Sequence, residues 1–168
     1  MNRNNKLLIA AGAAALTAGI YSSAVSAATV TANAAANVIT PLSISETNGI
    51  NFGDVSVGTT GGTVVLDTTG GRTVTGDAEA VSGGTVLSGA YSVTGEGTKA
   101  YSITFPLTAT ISSGGNDMTV NGFNHDAGAT PALSGGADTF NVGATLNIGA
   151  SQAPGNYTGT YTLTVDYQ

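Results

Sequence analysis

From Gly155 to Tyr167 the chain alternates with a period of two. Gly155, Tyr157, Gly159, Tyr161, Leu163, Val165 and Tyr167 fall on one side, and asparagine, threonine and aspartate fall on the other. That period is the mark of a strand with one face against a core. The same pattern recurs upstream. Phe140, Val142, Ala144, Leu146 and Ile148 share a face in Thr139 to Ile148, and Tyr101, Ile103, Phe105, Leu107, Ala109 and Ile111 share one in Lys99 to Ile111, with Pro106 marking an edge or a bend. Shorter strands are predicted at Ile50 to Val57, Thr63 to Leu66, Arg72 to Thr75, Thr85 to Leu87, Ala90 to Thr94 and Met118 to Phe123. Asn48-Gly49 reads as a hairpin turn. Gly-Gly pairs at 61–62, 70–71, 83–84, 114–115 and 135–136 read as further reversals. Short alternating strands with glycine-rich turns and no helical periodicity predict an all-β, antiparallel sandwich.

The front of the chain breaks this pattern. Arg3 and Lys6 precede an uncharged run from Leu7 to Tyr21, and small residues follow to Ala28. This is the layout of a secretory signal peptide with a helical apolar core, cut after Ala27. The run is shorter than the roughly 20 residues a membrane span needs, and no later segment is apolar enough to span a bilayer. The mature chain, residues 28–168, reads as one domain. Its first eleven residues, 28–38, form an extension in which Val30, Ala32, Ala34, Ala36 and Val38 share a face.

Composition narrows the partners. With no cysteine in the chain, stability in an oxidising compartment has to come from packing and sheet hydrogen bonds. After cleavage Arg72 and Lys99 face ten acidic residues, a formal charge of −8, which leaves no basic patch for nucleic acid. Charged residues make up 8% of the sequence, against about 25% in ordinary soluble domains. The surface must therefore be threonine, serine, asparagine and glycine, a texture that suits repeated packing outside the cell.

Two resemblances follow from these segments. Ile50-Asn-Phe-Gly53, Arg72-Thr-Val-Thr75, Tyr91-Ser-Val-Thr-Gly95, Tyr101-Ser-Ile-Thr104 and the strand Gly155 to Tyr167 together resemble the secreted bacterial domain-of-unknown-function family 4402 over nearly the whole mature chain. That resemblance implies an exported β-sandwich and no particular chemistry. The terminal strand, with a glycine fourteen residues from the end and a penultimate tyrosine, also resembles the assembly strand of chaperone-usher fimbrial subunits. That likeness implies an incomplete immunoglobulin-like sandwich whose groove accepts the N-terminal strand of the next subunit. Many such subunits carry a disulfide, which this chain cannot form.

The resemblance to fimbrial subunits makes Val30, Ala32, Ala34, Ala36 and Val38 the candidate donor face. Gly155, Tyr157, Tyr161, Leu163, Val165 and Tyr167 become the candidate acceptor strand. The expected partners are other copies or related fibre subunits, with a periplasmic chaperone and usher. The expected location is the surface of a Gram-negative bacterium, reached through the periplasm. The alternative is a self-contained cell-surface or matrix sandwich of adhesive or carbohydrate-binding type, in which residues 28–38 pair as a first strand of their own domain.

Catalytic readings find little support. The only histidine, His125, lies beside Asp126 in a Gly- and Asn-rich stretch read as a solvated loop, and no Gly-x-Ser-x-Gly elbow or cysteine nucleophile exists. Asp77 and Glu79 merely share a strand face. Asp117, Asp126 and Asp138 fall in separate loops rather than in a calcium-loop pattern. Neither enzymatic activity nor a cofactor or metal is expected.

Overall fold

A computed structural model describes residues 26–168. Most of the signal peptide expected at residues 1–27, including its helix, lies outside the described residues. The chain divides into two compact units, residues 1–36 and residues 37–168. In the first, residues 26–36 are exposed and carry neither strand nor helix.

The second unit is an all-β sandwich, and every strand pairing in it is antiparallel. In chain order the strands are β1 (Ser43–Asn48), β2 (Asn51–Phe52), β3 (Val55–Leu66), β4 (Arg72–Ala80), β5 (Val86–Leu87), β6 (Gly89–Thr94), β7 (Tyr101–Thr104), β8 (Thr108–Ser113), β9 (Asn116–His125), β10 (Ala137–Ile148), β11 (Thr158–Gly159) and β12 (Thr164–Tyr167).

Strand β10 is the axis of the large sheet. Along one edge it pairs first with β6 and then with β3, while β9 follows its other edge and leads on to β8 and β11. Phe140, Val142, Ala144, Leu146 and Ile148 are all buried, as their alternation predicts. Filling such sites contributes about 1.5–3 kcal/mol for each large apolar side chain. Two core clusters result. Val64, Leu66, Val120, Leu146 and Ile148 centre one, and Tyr91, Val93, Tyr101, Phe140 and Val142 centre the other. Ile50 and Phe123 pack against both.

Four of the five Gly-Gly pairs are turns. The fifth, Gly61-Gly62, lies inside β3, where Gly61 has φ +77° and the register against β4 slips between Val57 and Gly62. An L side chain seldom adopts that backbone, so the glycine makes a bulge rather than a reversal. The hairpin expected at Asn48-Gly49 is absent as well. After a one-residue slip between Glu46 and Asn48, Asn48 pairs with Ala90 and Asn51 with Leu87, an equal step in opposite senses along the two strands, so the chain runs straight on from β1 into β2 opposite β5 and β6. The strand expected at Ile50 to Val57 is broken instead at Gly53, whose φ is +72°.

A candidate strand-docking groove

The terminal segment is one path on two sheets. Thr158 and Gly159 pair with Ser112 and Ile111 of β8, and Thr164 to Tyr167 pair with Thr104 to Tyr101 of β7. Four residues separate the two paired stretches on the terminal side, and six separate them on the other. The β7–β8 path therefore carries two extra residues in a bulge around Phe105-Pro106-Leu107, which leaves Leu107 92% exposed. The bend expected at Pro106 is present. Sequence reading takes Gly155 to Tyr167 as a single strand, whereas the structure splits it because its partner switches sheets at this bulge.

The alternation nevertheless holds through the split. Tyr157, Tyr161, Leu163, Val165 and Tyr167 are half-buried, while Thr158, Thr160, Thr162, Thr164 and Asp166 are exposed. Gly159 permits the close approach to β8, since a Cβ there would collide with the Thr110 carbonyl and reach 3.0 Å from Ile111 Cα. Gly155 does the same beside Ser113, whose Oγ would lie 2.5 Å from an added Cβ.

Both pairings use the edge of the terminal segment that faces β7 and β8. Among the described residues its opposite edge has no strand partner. Along the Gln152 to Leu163 part of that free edge lies a groove of about 1310 Å³. Its floor is the apolar inner face of the large sheet, with Ala109, Ile111, Met118, Val120, Leu146 and Ile148, and its far wall is the stretch Ile50 to Val57. The walls are held by side-chain bonds. Tyr157 donates to the Ala153 carbonyl at 2.7 Å and accepts from Gln152 Nε2 at 2.9 Å. On the far wall Arg72 donates to the carbonyls of Phe52, Asp54 and Val81 at 2.7, 2.8 and 3.1 Å.

One end of the groove is polar. Tyr161 and Tyr91 share a hydrogen bond of 2.5 Å, and Tyr91 donates to Glu46 Oε1 at 3.2 Å. Burial raises the pKa of both phenols above the ordinary tyrosine value. For Tyr91 the bond to Tyr161 and the Glu46 carboxylate push the same way.

The match of a family model described as a domain of unknown function (DUF4402) covers residues 42–167, nearly the whole sandwich. The chain belongs to the DUF4402 family. No curated protein matches it. The family description carries no activity, so a function for this DUF4402 chain has to be argued from its groove.

The candidate acceptor residues Gly155, Tyr157, Tyr161, Leu163, Val165 and Tyr167 therefore sit together on one path. The donor candidates are placed differently. Val30 and Val38 are 90% and 94% exposed, and Ala32, Ala34 and Ala36 are exposed with them. No strand forms anywhere in residues 26–42, where the self-contained alternative would place a first strand at residues 28–38, and the first strand begins at Ser43.

His125 is not the solvated loop residue expected. It ends β9 with its ring 6.0 Å from both Phe105 and Phe140, and its Nδ1 is buried without a hydrogen-bond partner. Asp77 and Glu79 are exposed on edge strand β4. Asp117, Asp126 and Asp138 accept hydrogen bonds from Ser112, Asn141 and Tyr101 respectively. Among the described residues no three acidic or histidine side chains converge as a metal site would require.

Proposed function

We propose that this protein is an exported structural subunit of a bacterial surface fibre, assembled by donor-strand complementation. Residues 28–38 of one copy would add to the free edge of the Gly155 to Tyr167 path in the next. The observation that carries this reading is the apolar groove beside an unpaired strand edge, in a chain whose own N-terminal extension is exposed and unpaired.

The lengths agree. At about 3.3 Å per residue an eleven-residue extension reaches about 36 Å, against about 43 Å for the thirteen residues of the acceptor path. The donor face is small, with three alanines and two valines. At about 0.8 kcal/mol per buried methyl group its seven methyls contribute about 6 kcal/mol. Ladder hydrogen bonds, at about 0.5–1.5 kcal/mol each, have to supply the rest. A strand edge and an apolar groove left open invite misassembly, which is the reason to expect a periplasmic chaperone that covers the groove and an usher that exchanges it.

The carbohydrate-binding alternative needs an exposed aromatic platform. Every tyrosine and phenylalanine among the described residues is buried or half-buried, which favours the fibre. The deciding experiment compares the mature chain with a form lacking residues 28–37, by light scattering across concentration and by electron microscopy. Concentration-dependent linear association, lost on deletion, is expected. A mature chain that stays monomeric at every concentration, with stability unchanged by the deletion, would end the donor-strand reading.

A further inference from the structure

The root of the N-terminal extension is held in a closed ring of hydrogen bonds. Thr40 donates twice to one oxygen of Glu96, from its backbone N–H at 3.1 Å and from its hydroxyl at 2.7 Å. The Glu96 N–H donates to the Tyr167 hydroxyl oxygen at 2.6 Å. Tyr167 completes the ring by donating to the Thr40 carbonyl at 2.8 Å. Three segments far apart in sequence thus meet at one point: the start of the sandwich, the turn after β6, and the penultimate residue of the chain.

The neighbouring backbone is shaped to admit this ring. A Cβ on Gly95 would strike the Tyr167 hydroxyl and lie 2.9 Å from Leu42 Cδ2 and 3.0 Å from Leu133 Cδ1. The turn is anchored independently, because Gly95 N–H donates to the Gly136 carbonyl at 2.9 Å and Lys99 N–H to the Glu96 carbonyl at 3.2 Å. Two residues before Thr40 the constraint ends, since Val38 is almost fully exposed.

We infer that Thr40, Glu96 and Tyr167 form a clasp that positions the extension, fixing where and in what direction it leaves the sandwich. What the direction then controls, the angle between successive subunits, rests on the fibre reading. The clasp itself stands on the four hydrogen bonds. It pins the C-terminal root of the donor segment beside the last residues of the acceptor path, so each subunit hands on its strand from a defined end. Tyr167 does two things at once: its ring packs in the second core cluster, and its hydroxyl orients the extension. Tyrosine meets both demands, with an apolar body and a polar tip, where phenylalanine meets only the first.

The test is residue-resolved amide hydrogen exchange on the full mature chain, with Glu96→Ala, Thr40→Val and Tyr167→Phe, and Thr40→Ser as the conservative variant. Opening of the clasp is local, so exchange at Thr40 should quicken by about tenfold or more in Glu96→Ala while β10 amides keep their wild-type rates. Tyr167→Phe should quicken exchange at Glu96, and Thr40→Ser should match wild type. Filaments of Glu96→Ala should still form, because the groove and the donor face are untouched, but with a broadened distribution of subunit-to-subunit angles. Unchanged exchange at Thr40 in Glu96→Ala overturns the clasp. Faster exchange spread equally over β6 and β10 overturns it too, since that is the mark of a residue that only holds the fold together. Wild-type chains that never associate overturn the fibre reading and leave the exchange rates to decide the clasp alone.

Discussion

Arg72 is the residue whose removal should most damage the groove without touching its apolar floor. Its guanidinium donates to three main-chain carbonyls, those of Phe52, Asp54 and Val81, and so holds the far wall against the turn before β5. Elsewhere the wall is held only at its ends and by one main-chain bond: Val55 to Val57 pair with β4, β2 pairs through two residues, and Val81 N–H donates to the Asp54 carbonyl at 3.0 Å, while Gly53 between them takes φ +72°. A hydrogen bond to a charged donor is worth about 1.5–3 kcal/mol. Arg72 is partly exposed and water can replace some of what is lost, so Arg72→Ala should cost about 2–4 kcal/mol rather than the sum of three full bonds. For a domain of this size that corresponds to a fall in Tm of about 5–15 °C.

Arg72→Lys is the informative control. A lysine keeps the charge but presents a single point donor in place of a planar fork, so it should recover less than half of the loss. The assay is thermal and urea unfolding of the three proteins side by side, with binding of a synthetic peptide of residues 28–38 measured on each. Arg72→Ala should weaken peptide binding along with stability, because the wall it braces is one side of the groove. A stability change below about 0.5 kcal/mol, the range of an ordinary surface substitution, would refute the bracing role. So would complete rescue by lysine, which would reduce the effect to charge alone.

The remaining expectations concern the core, the donor face and alkaline pH. Phe140→Ala removes a 2%-exposed ring stacked 5.5 Å from Tyr91; it should cost about 3–5 kcal/mol in urea unfolding. Ala34→Asp places a charge on the exposed donor face, so it should leave Tm within about 1 °C of wild type while abolishing filaments seen by electron microscopy. Filaments indistinguishable from wild type would show that residues 28–38 are not the inserted strand. Tyr91 and Tyr161 have pKa values raised by burial. The unfolded phenols ionise near the ordinary value of 10.0, so the stability these groups confer is complete below that pH and is lost as pH climbs toward their folded values. Unfolding and phenolate absorbance should therefore rise together above about pH 10, and Tyr91→Phe should soften the pH dependence.

What could be read from the sequence was whatever depends on near neighbours. Period-two alternation located β10 and the terminal path, and the parity of buried residues from Phe140 to Ile148 and from Tyr157 to Tyr167 is as predicted. What misled was local punctuation whose meaning depends on a partner strand. Asn48-Gly49 has the composition of a hairpin turn, yet β5 and β6 supply one continuous partner for the chain on both sides of it, and the register carries straight through. Gly61-Gly62 becomes a bulge for the same reason, because β4 continues past it. The split of the terminal strand was hidden in the Phe105-Pro106-Leu107 bulge, more than fifty residues away. The side chains that close the clasp were further out of reach: Tyr167 and Thr40 are 127 positions apart, and nothing in a threonine, a glutamate or a tyrosine announces which will meet. The penultimate tyrosine thus gains a second meaning. As a sequence feature it belongs to the alternating face of an acceptor strand. In the folded domain its hydroxyl reaches the root of the donor segment, so the two halves of the proposed assembly mechanism are joined through one side chain. A substitution there should be felt at both ends of the chain, and the Tyr167→Phe exchange pattern separates the half that packs from the half that orients.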